Sequence, residues 1–287
     1  MAHHLVSDAA AFDLDAYFDR IGYGGPHEPT PGVLRQLHLR HATSIPFENL
    51  NPLLRWPVKI DTASLTRKLL HERRGGYCFE QNLLLAHALD ALGFRFKGLA
   101  ARVVYGMPPG TVTARGHMLL AVECGGDTML ADVGFGGLTL TGPLVLTPGI
   151  EQPTPHEPFR LTMSGEGQYQ LEALVRAEWI PLYRFTPDEA YLADYEMASW
   201  YLCHFPGSHF TTGLIAARPS LDGRYGLRNN VLATHHGSGR TDRQVLSGAA
   251  ALRAALEGPL GLAVPASPAV EAMLERIGGA GAAGPIA

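Results

Sequence analysis

Cysteine is scarce in this chain, with three residues in 287. Three thiols cannot all pair within one chain, and a chain this long builds its core without covalent staples. A disulfide framework is therefore not expected, and reduced thiols in a cytoplasmic protein are. Long apolar runs are missing as well, since no stretch approaches the roughly 18 residues of a membrane span. The N-terminal residues lack the cationic segment and apolar stretch of an export signal. Excess positive charge is also absent. A formal net charge of −4 offers no general surface to nucleic acid, although a local basic patch could still meet one anionic ligand. The histidines and cysteines show no close metal-ligand spacing, so no metal is expected. His3-His4 reads as solvent-exposed and His235-His236 as the end of a strand. What is present, 46% hydrophobic and 17% charged residues, is too apolar for disorder and fits a globular protein.

The periodicity changes twice along the chain. Residues 13–92 are mainly helical in pattern. Asp13, Asp15 and Asp19 alternate with Phe12, Leu14, Tyr17 and Phe18 as on an amphipathic helix. Pro31 opens a segment with Val33, Leu34, Leu37 and His41 at helical spacing, and residues 62–71 suggest another helix. After Gly75-Gly76 a long helix carries Leu85, Ala88, Leu89 and Leu92, with Gly93 as its stop. From residue 94 strand formers and turns take over, at 97–105, 117–124, 128–133, 159–163, 169–175 and 178–185. Strands in succession predict an antiparallel sheet or barrel rather than βαβ units. Residues 188–201 return to helix and lead into a mixed α/β segment. Its strands fall near 211–217, 225–228 and 230–234, with a helix around 248–256. The Gly/Ala-rich end after Ile277 reads as frayed.

The most informative segment is Arg73-Arg74-Gly75-Gly76-Tyr77-Cys78-Phe79-Glu80-Gln81-Asn82. Two glycines permit a tight turn with close backbone approach, and Cys78 falls in the first turn of the helix that follows. Unpaired amides and the positive end of the helix dipole favour a thiolate there, and can hold the oxyanion of a tetrahedral intermediate. The competing reading is an inert buried thiol, which is the reading given to Cys124 and Cys203.

A thiol nucleophile needs a base, and the base benefits from an orienting carboxylate. Residues 117–132 read as a hairpin in which Gly125-Gly126 is a two-residue loop. Cys124 then faces Asp127 and Leu119 faces Asp132. His117 and Asp132 share one face as diagonal neighbours, close enough for a hydrogen bond. A three-residue loop would place them on opposite faces. Asp132 lies between Ala131 and Val133 in an otherwise apolar strand, which argues for a buried partner.

These residues resemble the arylamine N-acetyltransferase family. The resemblance rests on Ile45-Pro46-Phe47-Glu48-Asn49-Leu50, on Arg74-Gly75-Gly76-Tyr77-Cys78-Phe79-Glu80-Gln81-Asn82 and on Asp132-Val133-Gly134-Phe135-Gly136-Gly137. It continues through Ser208-His209-Phe210-Thr211-Thr212-Gly213-Leu214. It implies a multi-domain α+β fold with a cysteine-protease or transglutaminase-like catalytic core. A helical bundle (1–93) carries Cys78, an antiparallel β-barrel (94–187) carries His117 and Asp132, and an interdomain helix and α/β lid (188–287) follow. It further implies a Cys78-His117-Asp132 triad acylated by acetyl-CoA as cosubstrate. An arylamine, arylhydrazine or heterocyclic amine then takes the acetyl group, in a role in xenobiotic metabolism. By the same resemblance Phe47, Phe135 and Phe210 line the acceptor pocket, and Gly136, Gly137 and Thr212 lie near the CoA thioester arm. Residues 107–110 fall where family members vary, so the acceptor is left open. The same triad suits a cysteine hydrolase or transglutaminase-like enzyme, for which an open groove would be expected instead of an aromatic pocket.

Overall fold

The structure is a computed structural model, and it describes residues 5–6, 12–164 and 167–279. The His3-His4 pair and the chain beyond 279 lie outside the described residues. The N-terminal helices start on side-chain caps. Helix α1 (Leu14–Ile21) is capped by Asp13 and stopped by Gly22 at φ 64°. Helix α2 (Pro31–Ser44) is capped by Thr30, with Pro31 in its first turn. A two-residue strand β1 (Phe47–Glu48) and a short helix α3 (Leu50–Leu53) follow. The helix expected over 62–71 is two pieces: α4 (Thr62–Leu65) passes into a π-helical segment, Thr66–His71. Helix α5 (Cys78–Ala91) is buried from Cys78 through Leu89. A helix buried on all sides belongs in the centre of a protein, and α5 packs against α1, α4 and the sheet behind it.

Strands β2 (Arg95–Val103), β3 (His117–Cys124), β4 (Asp127–Ala131) and β5 (Leu144–Val145) pair antiparallel in sequence. Strands β6 (Glu151–Gln152), β7 (Phe159–Ser164), β8 (Gln168–Val175) and β9 (Glu178–Phe185) do the same, and β9 returns to pair with β2. The order β5-β4-β3-β2-β9-β8-β7-β6 makes a nearly closed eight-stranded barrel. Among the described residues no backbone pairing joins its two edges. Instead the Gln152 side chain reaches across: Oε1 accepts the Val145 N–H at 2.7 Å, and Nε2 donates to the Val145 carbonyl at 2.9 Å.

Helix α6 (Leu192–His204) leads to a one-turn helix α7 (His209–Thr212). Here the expectation of a strand over 211–217 fails. The Ser208 hydroxyl accepts the Phe210 N–H and starts a helical turn through Thr211 and Thr212, so strand β10 (Ile215–Ser220) begins only after Gly213. Strands β11 (Gly223–Arg228), β12 (Val231–His236) and β13 (Thr241–Val245) complete a second antiparallel sheet, in which β1 pairs with β10. Helices α8 (Ala249–Glu257) and α9 (Pro268–Gly278) pack together over it. Three hydrophobic clusters result. One centres on α5 and its neighbours, one fills the barrel, and one joins Leu50 to Leu214, Leu227, Leu256 and Leu274. Among the described residues, no helix is long and apolar enough to cross a membrane.

Candidate active site

The backbone comes very close to itself just before α5. A Cβ on Gly75 would lie 2.1 Å from the Pro46 carbonyl oxygen, so only glycine fits there. That approach lets the Gly76 N–H donate to the Pro46 carbonyl and the Glu48 N–H to the Gly76 carbonyl, at 3.2 and 3.1 Å. The Tyr77 N–H, at the helix start, donates to the Glu80 carboxylate at 3.2 Å. Four buried charges brace this turn. Lys68 pairs with Glu80 and Arg74 with Glu48, both at 2.6 Å, and Lys68 reaches Glu48 at 3.6 Å. Removing one partner of such a buried pair costs about 3–5 kcal/mol, because the other charge is left unpaired.

Cys78 is the first residue of α5 and is 3% exposed. Its Sγ lies 3.7 Å from the Gly116 carbonyl, immediately before β3. A Cβ on Gly134 would lie 2.8 Å from the Cys78 Cα, so the chain after β4 comes close against the backbone of Cys78.

The hairpin register is the one the two glycines require. Gly125 and Gly126 have φ of 66° and 89°, and Cys124 pairs with Asp127. The ladder runs to Leu120 opposite Ala131 and there it stops. A continued ladder would join Met118 to Val133 directly. The Asn82 carboxamide takes that place, with Nδ2 donating to the Met118 carbonyl at 2.8 Å and Oδ1 accepting the Val133 N–H at 3.0 Å. The amide of α5 thus wedges the two strands apart beside Asp132. The strand expected to reach 133 ends at Ala131 for this reason.

Asp132 and His117 are 0% and 3% exposed. His117 Nε2 donates to Asp132 Oδ2 at 2.7 Å. Asp132 Oδ1 accepts from Asn82 Nδ2 at 3.0 Å and from the Gly134 N–H at 2.9 Å, and the Asp132 N–H donates to His38 Nε2 at 3.1 Å. Burial alone would push the His117 pKa down. The Asp132 charge and hydrogen bond, with a smaller contribution from Cys78, instead raise it to about 10. Burial likewise opposes ionisation of Asp132, but His117, Asn82 and the Gly134 amide hold its carboxyl below the usual range. Tyr183 packs 4.9 Å from the His117 ring and Phe135 stands edge-on at 5.4 Å. Since Nε2 is taken by Asp132, Nδ1 is the nitrogen left for the thiol.

A cavity of about 1090 Å³ opens over these residues. Cys78, His117, Phe47, Phe135, Phe210, Gly136 and Gly137 all lie on its wall. Phe47 and Phe210 face each other with ring centres 6.2 Å apart. Thr212 is not on the wall; it is exposed on α7, its hydroxyl donating to the Ser208 carbonyl at 3.2 Å. Another part of the wall is basic, with Arg176, Arg224, Arg228, Arg240, His235 and His236. Arg224 is buried. Its Nε donates to Glu157 at 3.0 Å and its Nη1 to the Gly137 carbonyl at 3.5 Å, while Nη2 has no partner among the described residues.

Sequence reasoning missed His38, Asn82, Tyr183 and Arg224. Asn82 carried a usable signal, since it stands one helical turn after Cys78 and so on the same face. His38 is flanked by apolar helix positions and carried none.

A sequence model of the N-acetyltransferase family matches residues 32–269. The chain is 46% identical over 246 residues to an arylamine N-acetyltransferase of Mycobacterium tuberculosis, covering 84% of this chain and 86% of that protein. It is 39% identical over 252 residues to the Escherichia coli arylamine N-acetyltransferase, covering 88% and 89%. Among solved structures, the Mycobacterium marinum arylamine N-acetyltransferase in complex with CoA superposes with a TM-score of 0.88 at 41% identity, over 92% of this chain and 99% of that one. The fold, the placing of Cys78, His117 and Asp132 and these likenesses meet in one assignment: the chain belongs to the arylamine N-acetyltransferase family.

Proposed function

We propose that the protein moves an acetyl group from acetyl-CoA to an arylamine, arylhydrazine or heterocyclic amine, in two half-reactions through acetyl-Cys78. The observation that carries this reading is that Cys78 and His117 share the wall of one cavity, with Asp132 buried behind His117 and hydrogen-bonded to it. In the first half-reaction the thiol proton rests on His117, and the Cys78 thiolate attacks the thioester carbonyl. The negative oxygen that develops is stabilised by unpaired amides at the start of α5. The carbon–sulfur bond to CoA breaks, and His117 returns its proton to the departing thiolate. In the second half-reaction the amine attacks acetyl-Cys78, His117 takes a proton from the attacking nitrogen, and the Cys78 thiolate leaves. Phe47, Phe135 and Phe210 reward a flat, apolar acceptor. Gly136, at φ 95° and with room beside the Phe47 ring that a Cβ would fill, and Gly137, open to the cavity, suit close passage of the thioester arm. Thr212, off the wall, is left out of that contact.

The division of labour is part of the same proposal. Residues 1–93 supply the nucleophile, 94–187 the base and carboxylate, and 188–287 a lid over the cavity. A nucleophile at a helix start against strands that bear its base is a cysteine-protease or transglutaminase-like core. The basic wall is suited to the CoA phosphates, and we assign Arg224, beside Gly137, to one of them, its unspent Nη2 becoming available once the side chain turns into the cavity.

Two measurements test this reading. Brief incubation with acetyl-CoA and no amine should release CoA and add one acetyl group, mapped to Cys78 by intact and peptide mass. Acetylation at another residue, or none on rapid quench, would defeat the two-step scheme. Arg224→Lys keeps a charge opposite Glu157 but loses Nη2 and the N–H groups on it. It should raise KM for acetyl-CoA about ten- to hundredfold, the weight of one hydrogen bond to a charged group. KM for acetylpantetheine, which has no phosphate, should not change. An equal rise for both donors would take Arg224 out of the phosphate site.

A further inference from the structure

Asp132 stands where β4 has ended and its neighbours are no longer strands. β3 is held off by the Asn82 amide, and β5 pairs only with Met129 and Leu130. The Asp132 N–H, in a fully buried place, therefore has no ladder partner. It donates instead to Nε2 of His38, a residue of α2 lying 94 positions upstream and 0% exposed. An imidazole that accepts at Nε2 carries its proton on Nδ1. Nδ1 of His38 has no hydrogen-bond partner among the described residues. A buried polar atom left unpaired is unfavourable, so packing alone would be better served here by leucine or phenylalanine. The one nitrogen that is used meets the residue that orients His117.

We propose that His38 is a positioning residue for Asp132: a neutral acceptor on α2 that fixes the Asp132 main chain and with it the aim of the carboxylate at His117. This rests on the reading of Asp132 as the carboxylate of the triad. The residue type follows from the surroundings. A lysine has no lone pair to offer, and a carboxylate would set a second negative charge against Asp132 in a dry interior. A neutral imidazole meets both conditions. Burial pushes the His38 pKa down to about 4 against the pull of the Asp132 charge, so the lone pair is present at neutral pH. The other titratable group beside it on α2 is His41, which burial likewise keeps neutral. Without His38 the Asp132 N–H is left unpaired in a dry interior and its main chain is held only through Asn82 and its strand neighbours; a displacement of 1 Å in a catalytic group can lower a rate about 100-fold.

The test reads the pH dependence of Cys78 alkylation by iodoacetamide, together with thermal unfolding, in the wild-type protein and four variants. His38→Leu should need a higher pH for a given rate and react about tenfold more slowly at neutral pH, the effect of losing an outer hydrogen-bond partner. His38→Gln, whose Oε1 reaches the same place, should recover most of the wild-type profile. Leu37→Ala, a buried change on the same helix, should lower thermal stability and leave the profile where it was. Asp132→Asn separates the two readings. If it shifts the profile and His38→Leu does not, His38 has no positioning role; if it shifts nothing, the triad reading falls and this proposal with it. A shift in Leu37→Ala as large as that in His38→Leu would also overturn the proposal. Should His38→Leu fail to fold, ¹⁵N NMR of the wild-type imidazoles decides. Nε2 of His38 should be unprotonated, and a proton found there would remove the acceptor.

Discussion

Cys78→Ser is expected to fold, to bind acetyl-CoA, and to lose about 10⁴-fold or more in kcat/KM for acetyl transfer, the scale on which removing a triad nucleophile acts. The two side chains differ little in size, and the site is closely packed by Gly134 and Gly116, so the fold has no reason to change. The chemistry does. A thiol gives up its proton readily, whereas a serine hydroxyl leaves His117 with a proton it cannot take before attack begins. The Cys78 contact also helps to hold His117 protonated, so the serine variant loses part of that support. CoA release after mixing with acetyl-CoA, read together with intact mass and thermal unfolding, checks this. A serine variant within tenfold of wild type, or one acetylated at another residue, would show that Cys78 is not the nucleophile.

Asp132→Asn should cost nearly as much, and the hydrogen bonds around it say why. Oδ1 of Asp132 accepts from Asn82 and from the Gly134 N–H, so the carbonyl oxygen of an asparagine must occupy that position. The NH₂ group is then forced towards His117 Nε2. It donates where the carboxylate accepted, which moves the histidine proton to Nδ1, the nitrogen that must receive the thiol proton. The charge that holds His117 up is lost as well, and burial then acts on it unopposed. In a serine triad the equivalent change lowers kcat about 10⁴-fold. The loss here should be about 10²- to 10⁴-fold, because a cysteine at a helix start keeps some thiolate character by itself. Cys78 alkylation followed against pH, with circular dichroism as the folding control, is the measurement. A folded variant with an unchanged alkylation profile and full acetyl transfer would remove Asp132 from the site.

The same pair gives stability a pH dependence with a fixed sign. His117 has its folded pKa raised from 6.5 to about 10, so its contribution is complete below about 6.5 and is lost as pH rises through about 10. Asp132 has its folded pKa lowered from 3.8, so its contribution is present above that value and is lost on acidification. Asp132→Asn should flatten both limbs of a thermal-stability profile.

The hairpin was legible because two adjacent glycines admit few turns, and the turn fixes every pairing behind it. The start of α5 was legible for a similar reason, since Gly75 and Gly76 break one helix directly before an apolar run. Reasoning from period two placed His117 and Asp132 on one face. It could not show that the strands part there, because the wedge, Asn82, comes from a helix. His38 is further removed still, and nothing in the local pattern of α2 distinguishes it from its apolar neighbours. Tertiary neighbours of this kind have no period. Helix α9 is a different case: Ser267 caps it, Pro268 opens it, and Val270, Met273, Leu274 and Ile277 form its buried stripe. That signal was present, but the Gly/Ala-rich end beside it masked it. At 211–217 the β-branched residues suggested a strand, and the Ser208 cap outweighed them over the first turn.

The Gln152 bridge has a mechanical consequence. A backbone rung fixes the spacing of two strands, whereas a glutamine hangs on three rotatable bonds and follows its partner as that spacing varies. The barrel's circumference is therefore adjustable at the line between β5 and β6, whereas every other pair of neighbouring strands is joined by backbone pairing. Neither of those strands carries His117 or Asp132. A change in length of residues 146–150 is expected to be absorbed at that line, leaving the distance from His117 to Asp132 as it is.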